Sequence, residues 1–125
     1  FNIYAGPKEI LAKSISLFRE VAADNGRDLK KLEITTACPP VVGLTKEGVG
    51  SALTAAAKAL AQTEDEIAST WREKNYLFGT PDEVASTLSM WQEVGIEAVY
   101  LQLLSLKQDQ RNETIDVINK AVDLI

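Results

Sequence analysis

The chain has 125 residues, 46% hydrophobic and 25% charged, with a net charge of -5 and a pI near 4.7. This is a globular composition, long enough for one domain, residues 1–125, that buries about two-thirds of its unfolded surface. The acidic balance and scattered basic residues exclude a nucleic-acid surface, which needs clustered Lys and Arg, and no apolar run is long enough to span a bilayer.

Histidine is absent, which removes the Ser-His-Asp and Cys-His machines, the HExxH zinc helix and the two-His-one-carboxylate iron site from these residues. The single cysteine, Cys38, cannot form an internal disulfide, so a reducing cytoplasm is the expected compartment. No basic segment followed by an apolar one opens the chain, so a signal peptide is not expected. Phe1 stands where an initiator Met would, which fits an excised piece of a longer protein.

The first expected element is a helix from Pro7 to about Asn25. Proline suits the first helical position because its missing N–H is not needed there. Leu11, Ile15, Phe18 and Ala22 form the apolar stripe, widened by Ile10, Leu17 and Val21. Gly26 can end the helix in the left-handed conformation. Leu32 to Thr36 reads as a strand, extended or bulged through Val41-Val42. Pro39-Pro40 cannot donate to a ladder, so that part must bend out or sit at an edge.

A second helix begins after Thr45, whose hydroxyl can cap it, and runs to about Ala61. Thr63 and Glu66 have capping-box spacing and open a short third helix toward Trp71. Thr80 and Glu83 repeat that spacing, with Pro81 at the first helical position. Val84, Leu88, Trp91 and Val94 make this helix's buried stripe, Gly95 stops it and Ile96 folds back on it. Ala98 to Leu104 reads as a strand covered on both faces. Asn112 to Ile125 closes the chain as a helix built on Ile115, Ile118 and Val122. The order favours an α/β fold, a parallel sheet with helices against it.

The run Gly79-Thr80-Pro81-Asp82-Glu83-Val84, then Trp91, Gly95-Ile96 and Val99-Tyr100-Leu101-Gln102, resembles the carboxy-terminal unit of luciferase-like monooxygenases. Within that superfamily the strand is most similar to the deazaflavin (coenzyme F-420)-dependent oxidoreductases. Gly26-Arg27-Asp28 and Val41-Val42-Gly43 also sit in the expected order. The resemblance spans essentially the whole chain and is strongest over Leu77 to Leu104.

It implies the C-terminal portion of a (β/α)8 TIM barrel, parallel strands alternating with helices. It also implies an enzyme that moves hydride or oxygen equivalents on a small-molecule substrate with reduced deazaflavin or FMN. The family's glycine-rich phosphate loop and main cofactor contacts belong to the amino-terminal two-thirds. This segment alone is therefore expected to bind no cofactor and to be inactive. One departure is the stretch Ser105 to Gln110, where relatives often carry acidic residues ending in a histidine. The expected partner is the remainder of the barrel or a second copy of the chain. Residues alone leave a second architecture open: a complete α/β interaction module, non-enzymatic, whose sheet edges are covered by dimerisation.

Candidate chemistry is sparse. Gly43, Gly48 and Gly50 at a helix start invite comparison with a phosphate loop, but Val49-Gly50 stands where Lys-Ser or Lys-Thr is required. Glu64-Asp65-Glu66 and Asp82-Glu83 fall in first helical turns, where carboxylates serve the helix dipole. Cys38 has no histidine to activate it, and Trp71 and Trp91 read as core rather than stacking platforms. Gln102, the polar residue within an apolar strand, is the leading candidate to line a cofactor or substrate pocket. Thr36, at the end of the earlier strand, is the second.

Overall fold

A computed structural model of the chain describes residues 1–103 and 106–125. Leu104 and Ser105 lie outside the described residues, and so does the part of the expected last strand and of the Ser105–Gln110 departure that falls on them. In chain order the strands are β1 (Asn2–Tyr4), β2 (Thr35–Cys38), β3 (Val41–Val42), β4 (Phe78–Gly79) and β5 (Ala98–Leu101). The helices are α1 (Lys8–Asp24), α2 (Lys46–Leu60), α3 (Glu64–Glu73), α4 (Pro81–Val94) and α5 (Gln108–Asp123). Strands β1, β2 and β5 form a parallel sheet in that order, and β3 pairs parallel with β4. The mixed α/β, parallel architecture read from the sequence is present. Two short strands, β1 and β4, were not expected, because three and two residues give too little periodicity to read.

Local signals place most boundaries. The Pro7 carbonyl accepts from the N–H groups of Ile10 and Leu11, so proline precedes α1 rather than opening it. The Thr45 hydroxyl accepts from Gly48 N–H at 3.1 Å, and Thr63 with Glu66 closes a full capping box. At α4 only half of that box forms: the Glu83 carboxylate accepts from both the N–H and the hydroxyl of Thr80. Gly95 ends α4 at φ +104°, and Ile96 N–H folds back to the Trp91 carbonyl.

Strand β2 starts three residues later than expected. Asp28 accepts from Lys30 N–H and turns Leu29–Lys31 into a 3-10 helix, which delays the extended backbone. Pro39-Pro40 then splits the strand into β2 and β3, so each half pairs with a different neighbour.

Alternation sorts the main sheet into two faces. Ile3, Thr36 and Val99 share one register row, and Cys38 pairs with Leu101 in the next. Ile34 and Cys38 are fully buried there against Leu11 and Ile15 of α1, Val84 and Trp91 of α4, and Val117 and Ala121 of α5. A second core lies under α2 and α3, where Ala52, Ala56, Ile67 and Trp71 close on Val41.

The other face of the sheet carries Tyr4, Ala37 and Tyr100 in one row, with Tyr4 89% and Tyr100 62% exposed. The expectation that β5 is covered on both faces therefore fails: among the described residues no layer packs over that row.

One helix turns differently from its sequence stripe, and another buries its expected stripe without the residues that widen it. In α5 the smaller residues Thr114, Val117 and Ala121 face inward, while Ile115 and Val122 are exposed and Ile118 is half-buried. Small side chains permit the close approach of α5 to α4. The helix also begins a turn earlier than Asn112 and ends before Ile125. In α1 the core takes Leu11, Ile15 and Ala22, and leaves Ile10, Leu17 and Val21 outside.

Candidate functional site

In parallel α/β folds, binding groups gather beyond the carboxyl ends of the strands, where loops lead into helix starts. Here those ends carry three features: the segment from β3 into α2, the start of α5 from Lys107 onward, and the last residues of the open sheet face.

The first two face each other across a cleft of about 960 Å³. Thr45, Gly48 and Ser51 line its α2 side, and Lys107, Gln110 and Glu113 its α5 side, with Lys58 further along. The glycines here serve packing rather than a phosphate. A Cβ on Gly43 would lie 2.3 Å from the backbone of Gly48 and Val49, so Gly43 exists to let the chain pass its own helix start. A Cβ on Gly48 would lie 2.9 Å from Glu113 Oε1, which shows that carboxylate packed against the first turn of α2. Negative charge is thus already supplied at a helix start that would otherwise draw an anion. The cleft is a mixed-charge groove.

The open face meets these ends at Gln102. Its N–H donates to the Cys38 carbonyl at 3.0 Å, which extends the ladder one residue beyond β5. By alternation it follows Tyr100 onto the open face, and its side chain is exposed. The sequence argument took Gln102 as a buried amide in need of partners. Its position on the open face removes that premise.

Thr36 lies elsewhere. It is fully buried on the helix-covered face, and its hydroxyl donates to the Ile3 carbonyl at 2.8 Å. Thr36 and Gln102 are therefore not brought together. The residues that do share the open face with Gln102 are Tyr4 and Tyr100, which sequence reasoning missed. The available signal was the alternation in Val99-Tyr100-Leu101-Gln102, where the polar-tipped residues fall on one side.

The remaining candidates take structural roles. Burial pushes the Cys38 thiol up to about 11, only partly offset by a hydrogen bond from the Leu77 backbone, so no thiolate nucleophile exists near neutral pH. Trp71 Nε1 donates to the Pro39 carbonyl at 2.7 Å, and the ring meets Tyr76 edge-on. Trp91 is 1% exposed within the main core. Glu64 accepts from the Thr54 hydroxyl at 2.6 Å, tying α3 to α2. Among the described residues, no group of three or more His, Cys, Asp or Glu side chains could hold a metal ion. No described helix is long and apolar enough to cross a membrane.

This arrangement of parallel strands, open face and helix starts has a counterpart among solved structures. The crystal structure of monooxygenase RslO1 from Streptomyces bottropensis matches 99% of this chain with a TM-score of 0.68. At 20% sequence identity, the likeness is one of fold. The chain shares a monooxygenase-like α/β fold and spans 40% of the length of that protein. No protein-family model matches the chain, and neither does any curated protein.

Proposed function

We propose that this chain is the carboxy-terminal part of a luciferase-like oxidoreductase that uses a deazaflavin or FMN, folded as a sector of a (β/α)8 barrel. The observation that carries the reading is the fold match to a monooxygenase over nearly the whole chain, with the chain spanning well under half of that protein. The parallel strand-helix alternation and the bare face of the β1-β2-β5 sheet support it, since a barrel sector must leave its inward face uncovered.

In this reading the open face turns toward the barrel axis. Gln102 and Tyr100 lie at the carboxyl end where cofactor or substrate would sit, and Thr36 supports that end from behind by fixing β1 to β2. The cofactor supplies the redox chemistry, and this segment contributes walls and positioning rather than acid or base groups. That division is compatible with a segment that has no histidine.

The test is a titration of FMN and of deazaflavin, followed by flavin fluorescence, against the 125-residue chain and against the natural gene product that contains it. The expected result is tight binding by the natural product and none at micromolar concentration by the chain alone. Failure of the natural product to bind either cofactor would refute the oxidoreductase reading.

A further inference from the structure

The two most exposed large apolar or aromatic side chains among the described residues share one register row. Tyr4 on β1 is 89% exposed and Tyr100 on β5 is 62% exposed, and Ala37 of β2 lies between them. Such exposure is not general to the tyrosines of this chain, since Tyr76 is half-buried with its ring edge-on to Trp71. Spacing then limits what the row can hold. Neighbouring strands lie about 4.8 Å apart, so the two tyrosine backbones stand roughly 9.6 Å apart across Ala37. Side chains in a strand rise roughly perpendicular to the sheet, so the rings are too far apart to stack on each other. A ring held between them would lie about 4.8 Å from each, inside the roughly 4.5–7 Å range of aromatic pairs.

The floor of this gap is low. Ala37 adds a single methyl, and the row beneath holds only Asn2, Thr35 and Ala98. The Thr35 hydroxyl donates to Asn2 Oδ1 at 3.1 Å, which ties that row together under the tyrosines. Neither row carries a charged side chain, so the gap suits a neutral ring. Gln102 follows Tyr100 on the same face toward the carboxyl end, and its exposed amide can both donate and accept at the rim of that ring. A phosphate-bearing cofactor finds no anchor at the neighbouring start of α2, because the Glu113 carboxylate is already packed against it.

We infer that Tyr4, Ala37 and Tyr100 form a slot for a flat, uncharged aromatic ring of the organic substrate, with Gln102 hydrogen-bonding a hydroxyl or carbonyl on its rim. The tyrosines hold the ring by its two faces, and Ala37 sets how deeply it enters. The slot selects conjugated over saturated rings, because a puckered ring cannot lie flat against both walls. Its assignment to the substrate rests on the proposed oxidoreductase reading. The slot itself rests on the register and exposure of the row.

Equilibrium titration of the natural gene product with 2-naphthol, a neutral flat two-ring probe, tests it in the presence of saturating FMN or deazaflavin. The saturated analogue decahydro-2-naphthol is the comparison. The conjugated probe is expected to bind more tightly by about tenfold or more. Y4A and Y100A are each expected to weaken it about five- to tenfold, and Y100F to leave it within about twofold because stacking is kept. A37L is expected to weaken it by about tenfold or more by filling the gap. Flavin or deazaflavin affinity is expected to stay unchanged in all four variants. Circular dichroism checks that each is folded, and the tyrosine variants decide the outcome if A37L is not. Equal binding of the two probes, no binding of 2-naphthol, or unchanged affinity in Y4A and Y100A would overturn the inference. Variants that weaken the cofactor together with 2-naphthol would assign the slot to the cofactor and overturn it too. A natural product that shows the expected 2-naphthol pattern yet binds neither cofactor would leave the slot standing and refute the oxidoreductase reading.

Discussion

The two tryptophans offer a matched test of how this core is stabilised. Both indoles are nearly fully buried, at 1% exposure for Trp91 and 4% for Trp71, so replacing either with Phe removes the same ring atoms from a similar environment. Their N–H groups differ. Trp71 Nε1 donates to Pro39 at 2.7 Å, whereas Trp91 Nε1 has no hydrogen-bond partner among the described residues.

Trp71→Phe should therefore lose packing together with a hydrogen bond that contributes about 0.5–1.5 kcal/mol. Trp91→Phe should lose similar packing but relieve a buried, unsatisfied donor that costs about 1–3 kcal/mol. The packing terms drop out of the difference, which leaves Trp71→Phe the more destabilising by about 2–4 kcal/mol. For a chain of this length that separates the two melting temperatures by roughly 10 °C. Thermal unfolding by far-ultraviolet circular dichroism measures it, and in each variant the remaining tryptophan reports independently by fluorescence. Equal melting temperatures, or a lower one for Trp91→Phe, would refute the reasoning.

Two further expectations follow from burial and backbone geometry. Gly43→Ala places a Cβ 2.3 Å from backbone atoms of Gly48 and Val49 and should abolish soluble folded protein, while Gly50→Ala meets nothing within 4 Å and should stabilise α2. The Gly50→Ala gain is about 0.5–1 kcal/mol in denaturant unfolding, and a loss there would contradict the open space around that residue. Cys38 holds its proton to about pH 11 in the folded chain, against 9.0 for a free thiol. Between those values the unfolded chain releases a proton that the folded chain keeps. Stability from this group is thus intact below pH 9 and falls as pH rises toward 11, by about 2–3 kcal/mol. Cys38→Ala should remove that part of the alkaline slope; an unchanged slope would sink the assignment.

Helix boundaries were legible from local chemistry. Thr45, Thr63 and Thr80 mark helix starts because their side chains engage groups within one turn, and Gly95 marks a stop because φ +104° strains any other residue. The split of the second strand was legible as well, since Pro39-Pro40 cannot donate to a ladder. Candidate site residues fared differently. Gln102 was singled out for being polar in an apolar strand, but which face it occupies depends on pairing with Cys38, a partner 64 positions away. Thr36 looked equivalent to it, and only the register with Ile3 and Val99 puts it on the covered side.

The sequence by itself determined where α2, α3 and α4 begin, where α4 stops, the parallel α/β class and the absence of histidine chemistry, because each depends on residue type or on neighbours within a turn. Tertiary structure decided which side of each element is inside. Ile115 and Val122 lie outside because α5 turns Thr114, Val117 and Ala121 to the core, and in α1 the expected stripe of Leu11, Ile15 and Ala22 is buried while Ile10, Leu17 and Val21, which widen it, stay outside. Periodicity shows that a helix has an apolar side. Which side is buried depends on what the neighbouring elements offer it, and here one side of α1, one face of the sheet and the edge of β1 are offered nothing among the described residues.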